Sequence, residues 1–537
     1  MTKPFLSGAL SILCLVFAHG SAAGQVELTS SRLPIIVIDT DSEEIMDDPR
    51  IVARMGIIYN GPGEINYISD PFLHYNGKIS IEIRGSTSQI FPKKSYSFET
   101  QDYQGNNYNV PLLGLPVEND WVLYAPYSDK TLIRNILSYS LSGKLGQYAP
   151  RTRLCELILN GEYRGVYVLI EKIKRDKSRV DIATLDPEEI SGDDLTGGYI
   201  IKVDKQTGNS GDIWFSRLGG IYFQYEYPEH DEITEEQKAY IKGFIDDFEA
   251  SLIADYNYDP ERGYRKYLDE ASAIDLFIVS EIAKNIDSYI LSSFFYKDKD
   301  SKGGKLVMGP LWDFNLAFAN ADYREGFLTQ GLQLDIQMKL KGSIWWWKRL
   351  MKDPGFLANV KSRWGQVRGD QLSDQNIMAM VDSLTSLLEQ AQQRNFQRWD
   401  ILGREIWPNY YVGDSYADEI SYLKNWTLER LHWLDGELFT WESLDEEEQV
   451  IQANVFPNPF SESFTYTFTL NKPASISLDV YDMNGRPVRS LIQGEDFLPG
   501  THTRMWQAQE LGSSIYLVLL KVNGKPASRK RIVKLGY

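Results

Sequence analysis

The chain has 537 residues, of which 43% are hydrophobic and 13% aromatic, so it is long enough for two or three domains with packed cores. Its 74 Asp and Glu residues outnumber its 56 Lys and Arg residues, which gives a net charge of −18 at pH 7. This acidic balance disfavours broad contact with nucleic acid or an anionic membrane, and we expect no nucleic-acid partner.

The N-terminus has the features of a secretory signal peptide. Lys3 supplies a basic start, residues 9–18 form an apolar core, and Ser21-Ala22-Ala23 offers small residues for cleavage. The apolar run is too short to cross a bilayer, and no later segment reaches about 18 consecutive apolar residues. We therefore expect residues 1–23 to be a signal peptide, and the mature protein to be secreted without a transmembrane anchor.

Residues 33–204 predict a β-rich region that contains one helix. Short alternating runs over residues 33–110 are typical of strands, and Asn160-Gly161 predicts the turn of a hairpin. Between them, residues 128–146 carry an apolar stripe at helical spacing, with Ser128 or Asp129 as the helix cap.

The rest of the chain changes character twice. Residues 233–440 have mostly helical periodicity, including a helix at 271–285 and continuous patterns over 343–368 and 373–399. Residues 441–454 contain the acidic run "SLDEEEQ" and predict a solvated linker, and residues 455–537 predict a small all-β sandwich. The chain is therefore predicted to be of the α+β class, with its main domain at 24–440.

An aspartate in an apolar setting marks the region where we expect chemistry. Asp313 lies in "GPLWDFNLAFAN", and burying a carboxylate there costs several kcal/mol unless it is paired or bound to a cation. The runs "SFFYK" and "KLVM" flank a turn at 298–304, which predicts a β-hairpin. Asp287 precedes the first strand and Asp313 follows the second, so strand pairing places both carboxylates at one end of the hairpin.

Two neighbouring carboxylates suit a hard divalent cation, or a general base beside one. The alternative is structural: Asp287 caps a turn and Asp313 pairs with a lysine. The order of the preceding elements favours the first interpretation, because it parallels a protein kinase.

That order begins with "RGSTS" at 84–88, a small-residue turn through which backbone amides could approach a phosphate. Lys93 or Lys94 could neutralise the phosphate, although a lysine on an amphipathic strand is often only solvated. A helix follows, and then an apolar strand that ends at Glu171 and could line a flat base.

Six stretches carry a resemblance to a known family. In chain order they are "IEIRGSTSQIFPKKSYSFE", "WVLYAPYSDKTLIRN", "LNGEYRGVYVLIEKIK", "GGYIIKVD", "KNIDSYILSSFFYKD" and "GPLWDFNLAFAN". The sequence resembles the CotH family of spore-coat-type kinases, in the form found in secreted Bacteroidota proteins. The resemblance implies an atypical protein-kinase fold, with a β-rich N-terminal lobe and a helical C-terminal lobe, that transfers phosphate from ATP to protein serines.

The resemblance also implies roles for single residues. Asp287 would be the catalytic base or would orient the acceptor hydroxyl, and Asp313 would hold Mg²⁺, or Mn²⁺, against the phosphates of ATP. The expected cofactor contacts are Lys94, with Arg84 and Arg134 as supporting cations, together with Ser86 in the small-residue turn and Glu171 at the end of the apolar strand.

One position departs from the kinase pattern. Kinases place an asparagine five residues after the catalytic aspartate as a second metal ligand. Here that residue is Ser292, whose hydroxyl can ligate Mg²⁺ but is a weaker donor.

The C-terminal region resembles the type A sorting domain of type IX secretion. The matching stretches are "VFPNPFSESFTYTF", "ISLDVYDMNGRPVRSL", "GSSIYLVLLKVNGK" and "KRIVKLGY". The resemblance implies that the type IX secretion machinery is a partner and exports the protein across the outer membrane to the cell surface or medium.

Three functions are compatible with the sequence. The first, which we favour, is a secreted kinase that uses ATP and Mg²⁺ to phosphorylate Ser or Thr hydroxyls of a secreted or cell-surface protein. The second is a surface adhesin or pseudokinase that binds a partner without phosphotransfer, which Ser292 favours. The third is a polysaccharide hydrolase with Asp287 and Asp313 as its carboxylate pair.

Overall fold

A computed structural model describes residues 26–206, 213–440, 450–482 and 487–536. The chain divides into two compact units between residues 443 and 444, and each is described separately. The predicted signal peptide, residues 1–23, and residues 441–449 of the predicted linker lie outside the described residues. Residues 450–454, which we also assigned to the linker, belong instead to a β-strand.

Strands dominate the N-terminal half of the first unit. Its elements are β1 (Ser30–Ser31), β2 (Ile35–Asp39), β3 (Ile51–Ile58), β4 (Asn66–Tyr67), β5 (Tyr75–Arg84), β6 (Ser95–Gln101), β7 (Asp120–Tyr124), α1 (Arg134–Lys144), β8 (Thr152–Leu159) and β9 (Glu162–Glu171). Seven strands close into a barrel in the order β2-β3-β5-β6-β7-β9-β8. Only the β2–β8 pair is parallel, and it completes the closure.

The barrel confirms the predicted strands and hairpin and corrects the helix. Its interior contains fully buried Phe98, Trp121 and Cys155. β8 and β9 pair across the Asn160-Gly161 turn, as predicted. The helix expected at 128–146 begins only at Arg134, because Leu132 has a left-handed backbone conformation with φ 66°.

Helices dominate the C-terminal half of the first unit. Its elements are α2 (Gly192–Leu195), β10 (Tyr199–Val203), β11 (Ile213–Phe215), β12 (Tyr222–Tyr227), α3 (Glu235–Ile253), α4 (Glu270–Ala283), β13 (Ser293–Lys297), β14 (Leu306–Met308), α5 (Gln333–Gln337), α6 (Trp346–Leu350), α7 (Pro354–Arg368), α8 (Asp374–Leu388), α9 (Ala391–Arg398) and α10 (Tyr416–Thr440). The strands form one antiparallel sheet in the order β11-β12-β10-β13-β14.

Two patterns that we interpreted as continuous helices are interrupted. The one over 343–368 divides into α6 and α7, because Asp353 caps α7 through the backbone N–H of Gly355 and Pro354 occupies its first turn. The one over 373–399 divides into α8 and α9. None of the helices in the described part of the chain combines the length and hydrophobicity that crossing a membrane requires.

The second unit consists of strands in the residues described. They are β15 (Val450–Phe456), β16 (Ser463–Leu470), β17 (Ala474–Asp482), β18 (Pro487–Phe497), β19 (Gly500–Gln507), β20 (Ser514–Val522) and β21 (Lys525–Lys534). They form two antiparallel sheets, β15-β16-β19 and β18-β17-β20-β21. Tyr466, Leu478 and Val518 are fully buried in one core, which matches the alternation of apolar residues along these strands. The chain as a whole is therefore α+β, as predicted.

Candidate functional site

A cleft of about 1230 Å³ separates the barrel from the helical half of the first unit. Residues of β5, β6, β7 and β9 line one wall, and residues near the ends of β10, β13 and β14 line the other. Pockets for small molecules have volumes of roughly 300–1,000 Å³, so this cleft has room for a nucleotide and part of a second substrate.

The predicted hairpin brings Asp287 and Asp313 to this cleft. β13 and β14 are antiparallel, with Phe295 opposite Met308, and both carboxylates line the cleft beyond that end of the hairpin. Asp313 has a left-handed backbone conformation with φ 58°. Its backbone N–H donates a hydrogen bond of 3.1 Å to the hydroxyl of Tyr139 on α1, which ties the Asp313 segment to that helix.

A third carboxylate, which the sequence analysis did not identify, lies beside them. β10 pairs with β13 so that Val203 faces Ser293, and the residues next to this pair, Asp204 and Ser292, also meet. The Ser292 hydroxyl donates to Asp204 Oδ1 at 3.4 Å. In the sequence, Asp204 is recognisable only as an acidic residue directly after an apolar strand. Its position in the site follows once β10 is known to pair with β13.

The carboxylates repel one another. Burial, together with repulsion from Asp287 and Asp204, raises the pKa of Asp313 to about 6. Burial also raises the pKa of Asp287, although Lys205 and Arg324 partly offset it. The nearest Arg324 nitrogen lies 3.5 Å from the Asp287 carboxylate. A divalent cation between these groups would relieve the repulsion.

The predicted residues Arg84 and Ser86 also line the cleft. The guanidinium of Arg84 lies 5.2 Å from the ring centre of Trp312, directly before Asp313 in sequence. Lys205, which the sequence analysis did not single out, donates to the Thr87 hydroxyl at 3.0 Å. This bond connects the small-residue turn to the opposite wall of the cleft.

Three residues expected at the nucleotide do not line the cleft. The Lys94 amine donates to the backbone carbonyl of Gln89. Arg134 has a side chain only 1% exposed and pairs with Asp129 at 2.6 Å inside the core. Glu171 is fully buried and pairs with Arg151 at 2.8 Å. Each of the three side chains already has a partner within the protein. The cations that line the cleft include Arg84 and Lys205 instead.

Lys93 is buried as well, contrary to the solvated alternative. Its amine donates to the carbonyl of Val166 at 2.6 Å and to Asn395 Oδ1 at 2.9 Å, which joins the barrel to α9. Burial lowers the pKa of this lysine to about 7. Lys93 therefore stabilises the contact between the barrel and α9 and does not reach the cleft.

The oxygen donors in the cleft fit Mg²⁺ bound together with a nucleotide. The Asp313 carboxylate has no hydrogen bond or ion pair with any described residue, and Asp204 and Ser292 lie nearby. Among the described residues, no group of three or more His, Cys, Asp or Glu side chains forms a preorganised metal site. Mg²⁺ is usually held by one or two carboxylates and completes its coordination with substrate phosphates and water, which agrees with this donor set.

Comparison with known proteins places the chain in a family. Residues 81–434 match the family described as CotH kinase protein, and residues 454–534 match the secretion system C-terminal sorting domain. The comparison with curated proteins gives no match.

Among solved structures, the alkylpurine DNA glycosylase AlkC of Pseudomonas fluorescens, bound to DNA containing an abasic site analog, is 12% identical with a TM-score of 0.14. The alignment covers 35% of this chain and 55% of that chain, so this protein spans about half the length of the glycosylase chain. A likeness at this TM-score carries no argument about fold or function.

The family matches confirm both resemblances. The sorting domain indicates export by the type IX secretion machinery to the cell surface or the extracellular space. Because the first match extends over more than half of the chain, the protein belongs to the CotH kinase protein family.

Proposed function

We propose that this protein is a secreted kinase that transfers the terminal phosphate of ATP to Ser or Thr hydroxyls of a secreted or cell-surface protein, with Mg²⁺ as cofactor. The observation that carries the proposal is the convergence of Asp287 and Asp313 on one cleft, close enough for Asp287 to raise the pKa of Asp313. Phosphoryl transfer needs mainly positioning and charge stabilisation, and this arrangement offers both.

Asp287 is the residue that would orient the acceptor hydroxyl and take its proton. It is 9% exposed and lies in the cleft beside Arg324, which restricts its orientation. The acceptor oxygen would form a bond to the terminal phosphorus, the bond between that phosphorus and ADP would break, and the proton would pass to Asp287. A general base must lie within hydrogen-bond reach of that proton, which the wall position of Asp287 allows.

Asp313 would hold Mg²⁺, with Asp204 and Ser292 as the nearest additional oxygen donors. When bound, Mg²⁺ would neutralise charge on the phosphates. The hydrogen bond from the Asp313 backbone to Tyr139 would keep the carboxylate in place for this role.

Arg84 and Lys205 are the cations that would contact the phosphates, beside the turn that contains Ser86. Both line the cleft, and Lys205 already contacts that turn through Thr87. They replace Lys94 and Arg134 in the proposed site. Val122 and Ile170, which are buried residues of the barrel wall, would pack against the base.

Transfer of labelled phosphate tests the proposal. The mature protein would be incubated with γ-labelled ATP and a generic protein acceptor, in Mg²⁺ or in excess chelator. We expect Mg²⁺-dependent phosphoserine or phosphothreonine, reduced at least 100-fold in both Asp287→Ala and Asp313→Ala. Asp322→Ala is the matched control, because that aspartate is exposed and does not line the cleft. Equal labelling by all four proteins would refute the assignment.

A binding module without phosphotransfer is the second candidate. Two observations favour it. Ser292 stands where kinases have asparagine, and Arg324 forms an ion pair with the Asp287 carboxylate at 3.5 Å. This candidate predicts that no protein becomes labelled although the chain binds its partner with or without ATP. Thermal unfolding with ATP and Mg²⁺ separates the two, because a ligand at about 100 times its Kd adds about 2.7 kcal/mol of stability.

A further inference from the structure

A second cavity, of about 700 Å³, lies where the start of the barrel chain, α1 and α8 meet. We call it the arginine groove, because Arg32, Arg151 and Arg153 line it. Its remaining wall is mostly apolar and includes Leu33, Ile136, Leu154, Leu384 and Leu387. Of its described lining residues, only Tyr139 also lines the cleft that contains Asp287 and Asp313.

The charge of the arginine groove contrasts with that of the whole chain. None of its described lining residues is acidic and none is lysine, although the net charge of the protein is −18. The guanidinium of Arg151 is neutralised by Glu171 at 2.8 Å. Arg153 donates only to backbone carbonyls, and Arg32 is exposed without an ion pair among the described residues. Two positive charges therefore remain uncompensated beside an apolar surface.

We propose that the arginine groove binds a small amphipathic anion, an aliphatic chain that ends in a carboxylate. The chain would lie against Leu33, Ile136 and Leu384, and the carboxylate would accept hydrogen bonds from Arg32 and Arg153. Guanidinium groups match carboxylates in geometry as well as charge. The cavity volume lies within the range of sites for small molecules and is small for a folded partner.

The location of the groove gives such a ligand a physical connection to the active-site cleft. Tyr139 lines both cavities, and its hydroxyl accepts the hydrogen bond from the Asp313 backbone. Binding in the groove does not require phosphotransfer, so the proposal stands independently of the proposed kinase activity.

Isothermal titration of the mature protein with dodecanoate, below its micelle concentration, tests the proposal. We expect saturable binding of one dodecanoate per chain. Decanoate should bind about tenfold more weakly, because each buried methylene contributes about 0.8 kcal/mol. Dodecyltrimethylammonium should not saturate the site, because it has the same chain with a positive head.

Two variants assign the binding to the groove. Leu387 is 49% exposed, so Leu387→Glu adds a carboxylate at the groove with little effect on folding. This variant and Arg32→Gln should each weaken dodecanoate binding about tenfold. The matched control is Leu218→Glu, since Leu218 is 47% exposed and lies outside the groove. Circular dichroism melting verifies that all three fold.

Several results would overturn the proposal. They are the absence of saturable dodecanoate binding, equal binding of the cationic amphiphile, and wild-type affinity in the Leu387→Glu variant. Saturable binding of an acidic, apolar peptide in place of dodecanoate would also refute it, and would assign the groove to a protein partner.

Discussion

Replacing Asp313 by asparagine should stabilise the metal-free protein while it removes Mg²⁺-dependent function. Burial, with repulsion from Asp287 and Asp204, raises the pKa of Asp313 from its ordinary value of 3.8 to about 6. Between these two values the folded state binds a proton more readily than the unfolded chain. The stability associated with that proton is therefore complete below about pH 3.8 and is lost as the pH rises through about 6.

The size of the effect follows from the shift. About two pKa units at about 1.36 kcal/mol each correspond to about 3 kcal/mol, and solvent screening of this partly exposed group reduces the expectation to about 2 kcal/mol. Asparagine carries no charge at any pH. Asp313→Asn should thus exceed the wild type in free energy of unfolding by about 2 kcal/mol at pH 8 and by about half of that at pH 5.

Urea unfolding in excess chelator measures the difference, followed by circular dichroism at 222 nm because the described helices belong to the first unit. Asp322→Asn is the control, since it removes an exposed carboxylate nearby that does not line the cleft. The reasoning fails if Asp313→Asn is no more stable than the wild type at pH 8, or if its advantage is the same at pH 5.

Three further predictions concern the surroundings of the site. Burial lowers the pKa of Lys93 to about 7, so above that pH the unfolded state binds more protons than the folded state and the free energy of unfolding rises with pH. In urea unfolding, Lys93→Met should lack about 2–3 kcal/mol of the gain that the wild type shows between pH 6 and 9. An unchanged pH slope in this variant would contradict the assignment. Tyr139→Phe leaves the Asp313 N–H without its acceptor and should cost about 1–2 kcal/mol of stability and lower kcat, whereas wild-type kcat in a transfer assay would exclude this positioning role. Arg84→Gln should raise the KM for ATP about tenfold and Lys94→Gln hardly at all, because only the arginine lines the cleft; the reverse ranking would restore the role inferred from the sequence.

The sequence was sufficient where local rules determine the geometry. The apolar runs on both sides of the turn at 298–304 predicted the β13–β14 hairpin, and antiparallel pairing alone brought Asp287 and Asp313 together. The Asn160-Gly161 turn was predictable for the same reason. In both cases the partners are close in sequence, so their pairing needs no knowledge of the rest of the fold.

Features that depend on distant pairing were not predictable in this way. Barrel closure requires β2 to pair in parallel with β8, more than a hundred residues later, and that closure determines which side of each strand faces the cleft. Lys94 and Glu171 were assigned to the nucleotide from the kinase-like order of elements and the family resemblance. Period-2 alternation could not test that assignment, because it identifies two faces of a strand but not their surroundings. Asp204 was missed because β10 meets β13 across ninety residues of chain.

Binding of ATP with and without Mg²⁺, measured by isothermal titration, tests most directly whether the acidic residues of the cleft converge on a metal–nucleotide complex. We predict that the wild type binds ATP at least tenfold more tightly with Mg²⁺ than with chelator, that Asp313→Asn loses this difference, and that Asp322→Asn keeps it. Equal affinity with Mg²⁺ and with chelator in the wild type, or an undiminished Mg²⁺ effect in Asp313→Asn, would contradict the proposed site.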